Sequence, residues 1–330
     1  MTNTKQSEAS RAILDDAPKA CMDELAAVEF LERMRWPEGV CCPRCGDVNV
    51  YAMKGRRSGK REAHYRWRCR GCKRQFSVRT ATVMEQTNIP LRHWCMALWL
   101  HTSGRKGVAA TQISRMTGVS YKWALFMCHR IRHAMTQDGK GKLKGEVEAD
   151  EAYIGGRFRR KNRHARKPKF NQWDKTPVLG IVQRGGELRA KPVKRITGGN
   201  VRHFVKSNVD ESATFCTDDL RLYREIGRGF KGGHIAVEHQ IFEYVRYPRA
   251  GSGTTVVGHT NTLESFWSHL KRKLDGVHHS VSERHLGRYV DEAVFNWNTR
   301  GIGDGERLRL VVKKTEGKRL VYAVPPADAA

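Results

Sequence analysis

The sequence predicts a mixed α/β protein in which a cysteine-rich module and a helical segment precede a larger domain of strands and helices. The module is marked by two Cys-x-x-Cys pairs between residues 39 and 82. Residues 88–137 carry apolar residues at helical spacing, and strand-like and helix-like patterns alternate over residues 145–300. A chain of 330 residues is long enough for two or three such units, each with its own core.

The composition is that of a globular protein with a polyanionic partner. Hydrophobic residues make up 39% and charged residues 29% of the chain, which argues against a disordered or membrane-embedded class. The 61 Lys and Arg residues outnumber the 34 Asp and Glu residues, and the net charge is +27. Repulsion on this scale opposes compaction, so we expect nucleic acid as the partner. The polar N-terminus and the short apolar runs predict a cytoplasmic, nucleoid-associated protein with no membrane partner.

The first 38 residues form the acidic stretch of an otherwise basic chain. Apolar residues recur in their second half at the spacing of one helix face. These residues are Met22, Leu25, Val28, Phe30 and Leu31. We therefore expect residues 1–38 to form a helical N-terminal lead.

The cysteine-rich module, residues 39–82, has the ligand spacing of a zinc ribbon. One pair of cysteines lies in CCPRCG (41–46) and the other in RCRGC (68–72). Two thiolates at this spacing converge on one ion, and two pairs complete a closed tetrahedral site for structural Zn²⁺. The expected ligands are Cys42, Cys45, Cys69 and Cys72. Cys41 and His64 are alternatives, and the basic arm between the pairs suits contact with phosphates.

Residues 107–135, within the helical segment 88–137, predict two helices joined by a tight turn. Gly118 closes the turn, and Ser120 is placed to cap the second helix. The apolar face of the first helix consists of Ala109, Ile113 and Met116. The cationic face of the second consists of Lys122, Arg130 and Arg132. The pattern fits a helix-turn-helix whose second helix enters a major groove, or a plain helical hairpin with a solvated basic side.

Three strands open the larger domain, residues 145–300, and helices and strands alternate after them. The strands are predicted at 146–154, 177–184 and 188–196, with a tight hairpin turn at Gly185 and Gly186. A helix then precedes a fourth strand, 212–217. This order is the ribonuclease-H-like arrangement, a mixed sheet flanked by helices. In it the first and fourth strands are neighbours, so acids near their carboxyl ends can meet.

Asp150, in the first strand, and Asp218, after the fourth, are the acids that this arrangement brings together. Phosphodiester chemistry requires such a meeting, because two metal ions about 4 Å apart neutralise the charge of an in-line displacement. Carboxylate oxygens are the ligands that Mg²⁺ prefers, and Mn²⁺ is the alternative ion. We therefore expect a metal site at this edge of the sheet.

A third acid is expected from the helix predicted at 259–274. Its apolar stripe is formed by Leu263, Trp267, Leu270 and Leu274. Glu264 lies on the neighbouring stripe, and Lys271 follows two turns later, about 10.5 Å along the axis. The acid can thus reach a metal while the ammonium reaches a flanking phosphate. Glu151, Asp219 and Asn261 are alternative ligands; because adjacent strand residues face opposite ways, one of each acidic pair should reach the metals.

A family resemblance joins these motifs. VEADEAYIGG, the TDD after the fourth strand and HTNTLESFWSHLKRKLDGVHHSVSERHLGRYVDEAVFNWNTR resemble transposases of bacterial insertion sequences that carry an ISXO2-like domain. The resemblance covers residues 25–300, including the zinc ribbon. It implies Mg²⁺-dependent cleavage at transposon ends, attack of the freed 3′-hydroxyl on target DNA, and at least a homodimer on DNA. The catalytic residues it implies are Asp150, Asp218, Glu264 and Lys271.

The sequence departs from the family pattern at two positions, and two further readings of its function stay open. Ala152 stands where the family more often has Thr, and Asp219 where it often has Glu. One alternative is a DNA-binding regulator with a catalytically inactive transposase core. The other is a nuclease that cuts without joining ends.

Basic residues outside the acidic motifs are the expected DNA contacts. The run RFRRKNRHARKPK (157–169) lies between the first two strands, and we expect it to order on DNA. The candidate contacts are Arg157, Arg159, Arg160, Lys161, Lys122, Arg130 and Lys271. Residues 301–330 are expected to form a basic C-terminal tail.

Overall fold

The chain divides into two compact units. A computed structural model describes residues 8–55, 59, 61–139, 141–155, 175–238, 245–248 and 255–321. The first unit comprises Met1–Thr136 and Thr299–Ala330, and the second Gln137–Asn298. The basic run at 157–169, with Arg157, Arg159, Arg160 and Lys161, lies outside the described residues. Among the helices described, none is both long and apolar enough to cross a membrane.

Helices α1 (Glu8–Met22), α2 (Glu24–Arg35) and α3 (Leu91–Ser103) form much of the first unit. The side chain of Asp23 caps α2 by accepting a hydrogen bond from the Ala26 amide at 2.7 Å. Helix α10 (Asp304–Lys314) packs against α1 and α3. Its residues belong to the stretch predicted as a tail, yet Leu308, Val311 and Val312 are buried. Their i, i+3, i+4 spacing puts them on one helix face, which explains the burial.

The cysteine-rich module is built on a small antiparallel sheet. Its strands are β1 (Val50–Ala52), β2 (Trp67–Cys69) and β3 (Gln75–Phe76). The arm between β1 and β2 is tied to helix α2 through Glu32. This carboxylate accepts a hydrogen bond from the Trp67 indole at 2.8 Å and one from the Arg61 guanidinium at 2.9 Å. Part of the arm predicted to follow phosphates therefore makes contacts inside the unit.

Helices α4 (Ala110–Thr117) and α5 (Tyr121–Ala134) confirm the predicted helix pair and its turn. Gly118 ends α4 in the left-handed conformation at φ 71°, which glycine adopts without strain. Two predicted details are wrong. Ser120 makes no side-chain capping bond, and Met116, predicted on an inward face, is 49% exposed. Helix α4 is short, and Ala110 and Ile113 are its only buried residues.

A five-stranded mixed sheet forms the centre of the second unit. Its strands are β4 (Glu146–Ile154), β5 (Thr176–Gln183), β6 (Leu188–Pro192), β7 (Thr214–Asp218) and β8 (His234–Val237). The order is β6-β5-β4-β7-β8, with antiparallel pairing from β4 to β6 and parallel pairing of β4, β7 and β8. The expected adjacency of the first and fourth strands is confirmed, with Ala149 opposite Thr217.

The strands end close to their predicted positions, except for the third. Gly185, at φ 70°, lies in the hairpin turn between β5 and β6, as predicted. Strand β6 ends at Pro192 rather than residue 196. Helix α6 (Gly198–Asn208) follows soon after, and its N-cap is Thr197, whose hydroxyl accepts a hydrogen bond from the Asn200 amide at 3.2 Å.

Helices cover both faces of the sheet, and the alternation along β4 assigns each side chain to a face. Val147 and Ala149 pack with α6 and α7 (Arg221–Gly227) in one apolar cluster. Ala152 and Ile154 pack with α8 (Asn261–Lys273) and α9 (Glu283–Asn298) in the other. Strand side chains point alternately to opposite faces. Even-numbered residues of β4 therefore point towards α8 and odd-numbered ones towards α6 and α7.

Candidate functional sites

Four cysteines of the first unit converge as the sequence predicts. One sulfur from each lies within 4.8 Å of the others, and the four are Cys42, Cys45, Cys69 and Cys72. The Sγ atoms of Cys42 and Cys72 are 3.7 Å apart, and those of Cys45 and Cys69 are 3.6 Å apart. Cys41 and His64, the alternative ligands, are not part of this group. The tetrahedral set of soft ligands fits a structural Zn²⁺ ion.

Burial and local hydrogen bonds shift the pKa values of two cysteines in opposite directions. Burial raises the pKa of Cys42, but hydrogen bonds from the backbone amides of Arg44 and Cys45 and from the thiols of Cys45 and Cys72 together outweigh it, and the pKa falls to about 7. Burial raises the pKa of Cys69 to about 12. Zinc binds thiolates, so a bound ion would be needed to keep all four sulfurs deprotonated. Asp47 braces the second knuckle by accepting from the Gly71 amide at 3.0 Å.

The second unit holds a cluster of three carboxylates. Asp150, Glu151 and Asp218 each place an oxygen within 4.8 Å of the other two. Asp150 and Glu151 lie on β4, and Asp218 ends the neighbouring parallel strand β7. The structure thus brings together the first two acids expected from the sequence, and it adds Glu151.

These carboxylates oppose one another's ionisation. Burial, followed by the charge of Asp218, raises the pKa of Asp150 to about 6. Burial and the charges of Asp218 and Asp150 raise the pKa of Glu151 to about 8. Like charges at such short range in a half-buried site favour protonated forms unless a cation is present. The acidic cluster is therefore an electrostatic candidate for a divalent ion.

The sequence predicts that one member of each acidic pair reaches the metals, yet both members of the first pair belong to the acidic cluster. Asp150 points towards α8 and Glu151 towards α7, where the buried Tyr223 hydroxyl donates to Glu151 Oε2 at 3.1 Å. Both carboxylates nevertheless place an oxygen within 4.8 Å of an oxygen of Asp218. In the second pair Asp219 turns away and pairs with Arg224.

Glu264 lies in the first turn of α8, close to the acidic cluster but outside the group of three. In addition to burial and Asp218, its charge contributes to raising the pKa of Asp150. Its Oε1 atom lies 3.4 Å from the Thr260 hydroxyl, which donates to it. Asn261, the alternative ligand, is the exposed first residue of α8. Lys271 is exposed in the last turn.

Two contacts around the acids were not foreseen from the sequence. The Trp267 indole, assigned only to an apolar stripe, donates to Asp150 Oδ2 at 2.9 Å. Glu148, two residues before Asp150, is completely buried and accepts hydrogen bonds from the start of α8. The one sequence signal was the recurrence of acids at 146, 148 and 150 on a single strand face. Only Asp150 of that series was assigned a role.

The two described candidates for DNA contact on α5 have different surroundings. Lys122 is exposed. Arg130 is 5% exposed, and its guanidinium donates to the carbonyl oxygens of Val83 at 2.7 Å, Glu85 at 2.8 Å and Leu320 at 3.1 Å. Its position three residues after the buried Met127 turns it inward. Arg130 therefore stabilises the first unit and is no longer a candidate for DNA contact.

The predicted cationic face of α5 is consequently wrong beyond its first turn. Arg132 is buried, as Arg130 is. Trp123 is 50% exposed, and its ring contacts Phe126 edge-on. Tyr121 and Trp123 flank Lys122 on the exposed N-terminal turn of the helix.

Comparisons with known proteins match both units. Residues 142–298 match the ISXO2-like transposase domain, and residues 22–75 match the transposase zinc-ribbon domain. An uncharacterized protein in transposable element ISH50 of Halobacterium salinarum is 30% identical over 282 residues. That match covers 82% of this chain and 90% of the relative. No solved structure matches significantly.

Proposed function

The chain belongs to the transposase family that combines a zinc ribbon with an ISXO2-like domain, and from this we propose that it is an active DNA transposase of an insertion sequence. It binds the element's ends, cleaves a phosphodiester bond there and joins the freed 3′ end to target DNA. The observation that carries the proposal is the convergence of Asp150, Glu151 and Asp218 on neighbouring strands, with Glu264 beside them.

The architecture of the second unit supports a ribonuclease-H-like catalytic core. Three antiparallel strands are followed by two parallel ones, and helices lie on both faces of the sheet. The parallel pairing of β4 with β7 explains how acids far apart in the sequence come into one cluster. Oxygen ligands at a sheet edge suit Mg²⁺, which needs only one or two carboxylates beside water and phosphate.

Each acidic residue has a role in this proposal. Asp150, Asp218 and Glu264 are the expected Mg²⁺ or Mn²⁺ ligands, and Glu151 is an additional carboxylate within reach. When bound, the ions supply positive charge at the attacking and leaving oxygens of the phosphodiester. Trp267 donates to one oxygen of Asp150 and so orients this carboxylate.

Basic residues and the zinc ribbon provide for DNA. The net charge of +27 supports binding to a polyanion whose affinity falls with salt. Lys122 is the candidate contact in the first unit and Lys271 in the second, and both are exposed. Arg157, Arg159, Arg160 and Lys161 stay candidates from the sequence alone. Joining two element ends to one target requires at least a dimer on DNA.

The proposal is tested by incubating the purified chain with its element's end sequence and Mg²⁺, beside the Asp218→Ala variant. Gel electrophoresis reports nicked and joined products, and fluorescence anisotropy reports DNA binding. We expect wild-type protein alone to nick and join, while both proteins bind DNA. Binding without product in both proteins would instead indicate a DNA-binding regulator, and nicking without joining a nuclease.

A further inference from the structure

We propose that Glu148, which lies outside the acidic cluster, is a positioning residue that holds helix α8 in register with strand β4. It thereby sets where Glu264 and Trp267 stand relative to Asp150. The inference rests on the proposed function for its catalytic consequence. The positioning itself is a structural claim that can be measured without DNA.

Glu148 is a completely buried carboxylate whose oxygens are saturated by donors. Oε2 accepts from the backbone amides of Thr262 at 3.0 Å and Leu263 at 3.2 Å. Oε1 accepts from the Thr262 hydroxyl at 2.8 Å and from Arg184 Nε at 2.9 Å. These amides belong to the first turn of α8, where they have no partner within the helix. A carboxylate there also meets the positive end of the helix dipole.

Arg184 extends the attachment to the segment that leads into α8. Its guanidinium donates to the carbonyl oxygens of Val257 at 2.7 Å and His259 at 3.1 Å. The His259 ring approaches Glu148 as well, with Nδ1 at 3.1 Å from Oε1. Arg184 follows β5 in the sheet, so the approach to α8 is tied to two adjacent strands through one buried ion pair.

A second attachment lies one turn further along the helix, where Trp267 donates to Asp150. Glu148 and Asp150 are separated by two residues of strand, about 6.6 Å. Thr262 and Trp267 are separated by five residues of helix, about 7.5 Å. The two spacings are similar, so the strand and the helix can be joined at both attachments. Glu264 lies on the helix between these two attachments.

The contact face at the second attachment has no spare room. Gly180 lies opposite Asp150 in the pairing of β4 with β5. A Cβ atom at Gly180 would be 2.6 Å from Trp267 Cζ2 and 3.1 Å from Leu263 Cδ2. Helix α8 therefore packs directly on the backbone of the sheet. A small slide of α8 would break the Trp267 bond to Asp150 and move Glu264 away from the acidic cluster.

The chain supplies a variant and a matched control on the same strand. In Glu148→Gln the size is kept, but one oxygen becomes an NH₂ group that meets donors and cannot accept their hydrogen bonds. Glu146 lies two residues earlier on the same face and also pairs with Arg184, yet it is half-exposed and has no bond to α8. Glu146→Gln therefore perturbs the arginine without releasing the helix.

The test uses the full-length, zinc-loaded chain labelled with 5-fluorotryptophan. The chain has 8 Trp residues, and the ¹⁹F resonance of Trp267 is assigned by its absence in Trp267→Phe. We expect this resonance to shift or broaden in Glu148→Gln and to stay in place in Glu146→Gln. In a Mn²⁺ titration, we expect the Mn²⁺ concentration that half-saturates Glu148→Gln to be about tenfold or more above that of wild type, as for other residues that orient metal ligands. The half-saturating Mn²⁺ concentration of the control, Glu146→Gln, should stay within about twofold of the wild-type value.

An unchanged Trp267 resonance together with unchanged Mn²⁺ affinity, in a Glu148→Gln protein that folds, would overturn the proposal. If that variant does not fold, Thr262→Val removes the hydroxyl donor alone at nearly constant volume. The proposal then requires a smaller shift in the same direction, and no shift would count against it. Failure of the proposed function is a separate result: wild-type protein without DNA products, but with a Trp267 resonance that responds to Glu148→Gln, retains the positioning role.

Discussion

The cysteine cluster of the first unit and the acidic cluster of the second gather anionic ligands in different ways. The four cysteines come from two short knuckles, where hydrogen bonds lower the pKa of Cys42 and burial raises that of Cys69. The acids come from two neighbouring strands, β4 and β7, and the charge of Asp218 raises the pKa values of Asp150 and Glu151. The first arrangement suits an ion that holds the fold together, and the second suits ions that are acquired for chemistry.

The largest effect expected from this comparison is the loss of zinc. Cys72→Ser should remove the ion and unfold the cysteine-rich module, because structural zinc contributes on the order of 10 kcal/mol to the folding of small sites. Native mass spectrometry measures zinc stoichiometry, and limited proteolysis reports the module. Cys41→Ser, which alters the thiol beside the first knuckle, is the control and should keep one zinc per chain. Equal loss in both variants would contradict the assignment of ligands.

Removal of an acid should have the reverse effect on stability. Asp218→Asn should reduce the rate of DNA cleavage about a thousandfold or more, since the proposed metal ligand and its charge are lost. The metal-free variant should nevertheless melt higher than wild type, because Asp150 and Glu151 lose a repulsive neighbour. Differential scanning calorimetry without Mg²⁺ measures this. A lower melting temperature would mean that repulsion does not dominate the acidic cluster.

A smaller effect is expected from Gly180→Ala. The added methyl group would lie 2.6 Å from Trp267 Cζ2, so the indole must move away from Asp150. We expect a loss of about 1–3 kcal/mol in the free energy of unfolding from overpacking, and slower DNA cleavage. Urea unfolding and cleavage rates test both. Gly199→Ala, a helical position with open space around it, is the control. An unchanged cleavage rate in Gly180→Ala would show that the position of Trp267 does not affect catalysis.

A further effect expected from the acidic cluster is a dependence of stability on pH. The ordinary pKa values of Asp150 and Glu151, 3.8 and 4.5, rise to about 6 and about 8 on folding. Between these limits the folded protein binds more protons than the unfolded chain, so the free energy of unfolding should fall as pH rises from about 4 to about 8. Added Mg²⁺ should restore it at pH 8.

Thermal melts of the zinc-loaded chain with and without Mg²⁺ measure this dependence. Other groups also titrate in the window, so the reference is the double variant Asp150→Asn with Glu151→Gln. Its stability should decline less with pH than that of wild type. Identical pH profiles would show that the two carboxyls are not shifted upwards by folding.

The cysteine cluster and the order of the strands were predictable from the sequence. Cys42 and Cys45, like Cys69 and Cys72, are close in the chain, so their meeting depends on local geometry. The left-handed turn at Gly118 follows from a residue without a Cβ atom. The adjacency of β4 and β7 followed from the succession of elements, and with it the meeting of Asp150 and Asp218.

The surroundings of polar side chains were not predictable in the same way. Arg130 looks like a DNA contact in the sequence, but it binds three carbonyl groups inside the first unit. Glu151 was one of two alternatives in an adjacent pair, and both members reach Asp218. Trp267 fitted an apolar stripe because its ring is buried, while its one polar atom serves Asp150.

The sequence by itself determined the family, the four cysteines that cluster, the helix pair and the strand that carries the first acid, because these depend on spacing between near neighbours. Only the tertiary structure decided that Glu148 binds the start of α8, and that Arg130 points inward. Buried polar groups must find partners wherever the fold brings them. Glu148 and Thr262 are separated by 114 residues, so their contact leaves no periodicity that a pattern in the sequence would show.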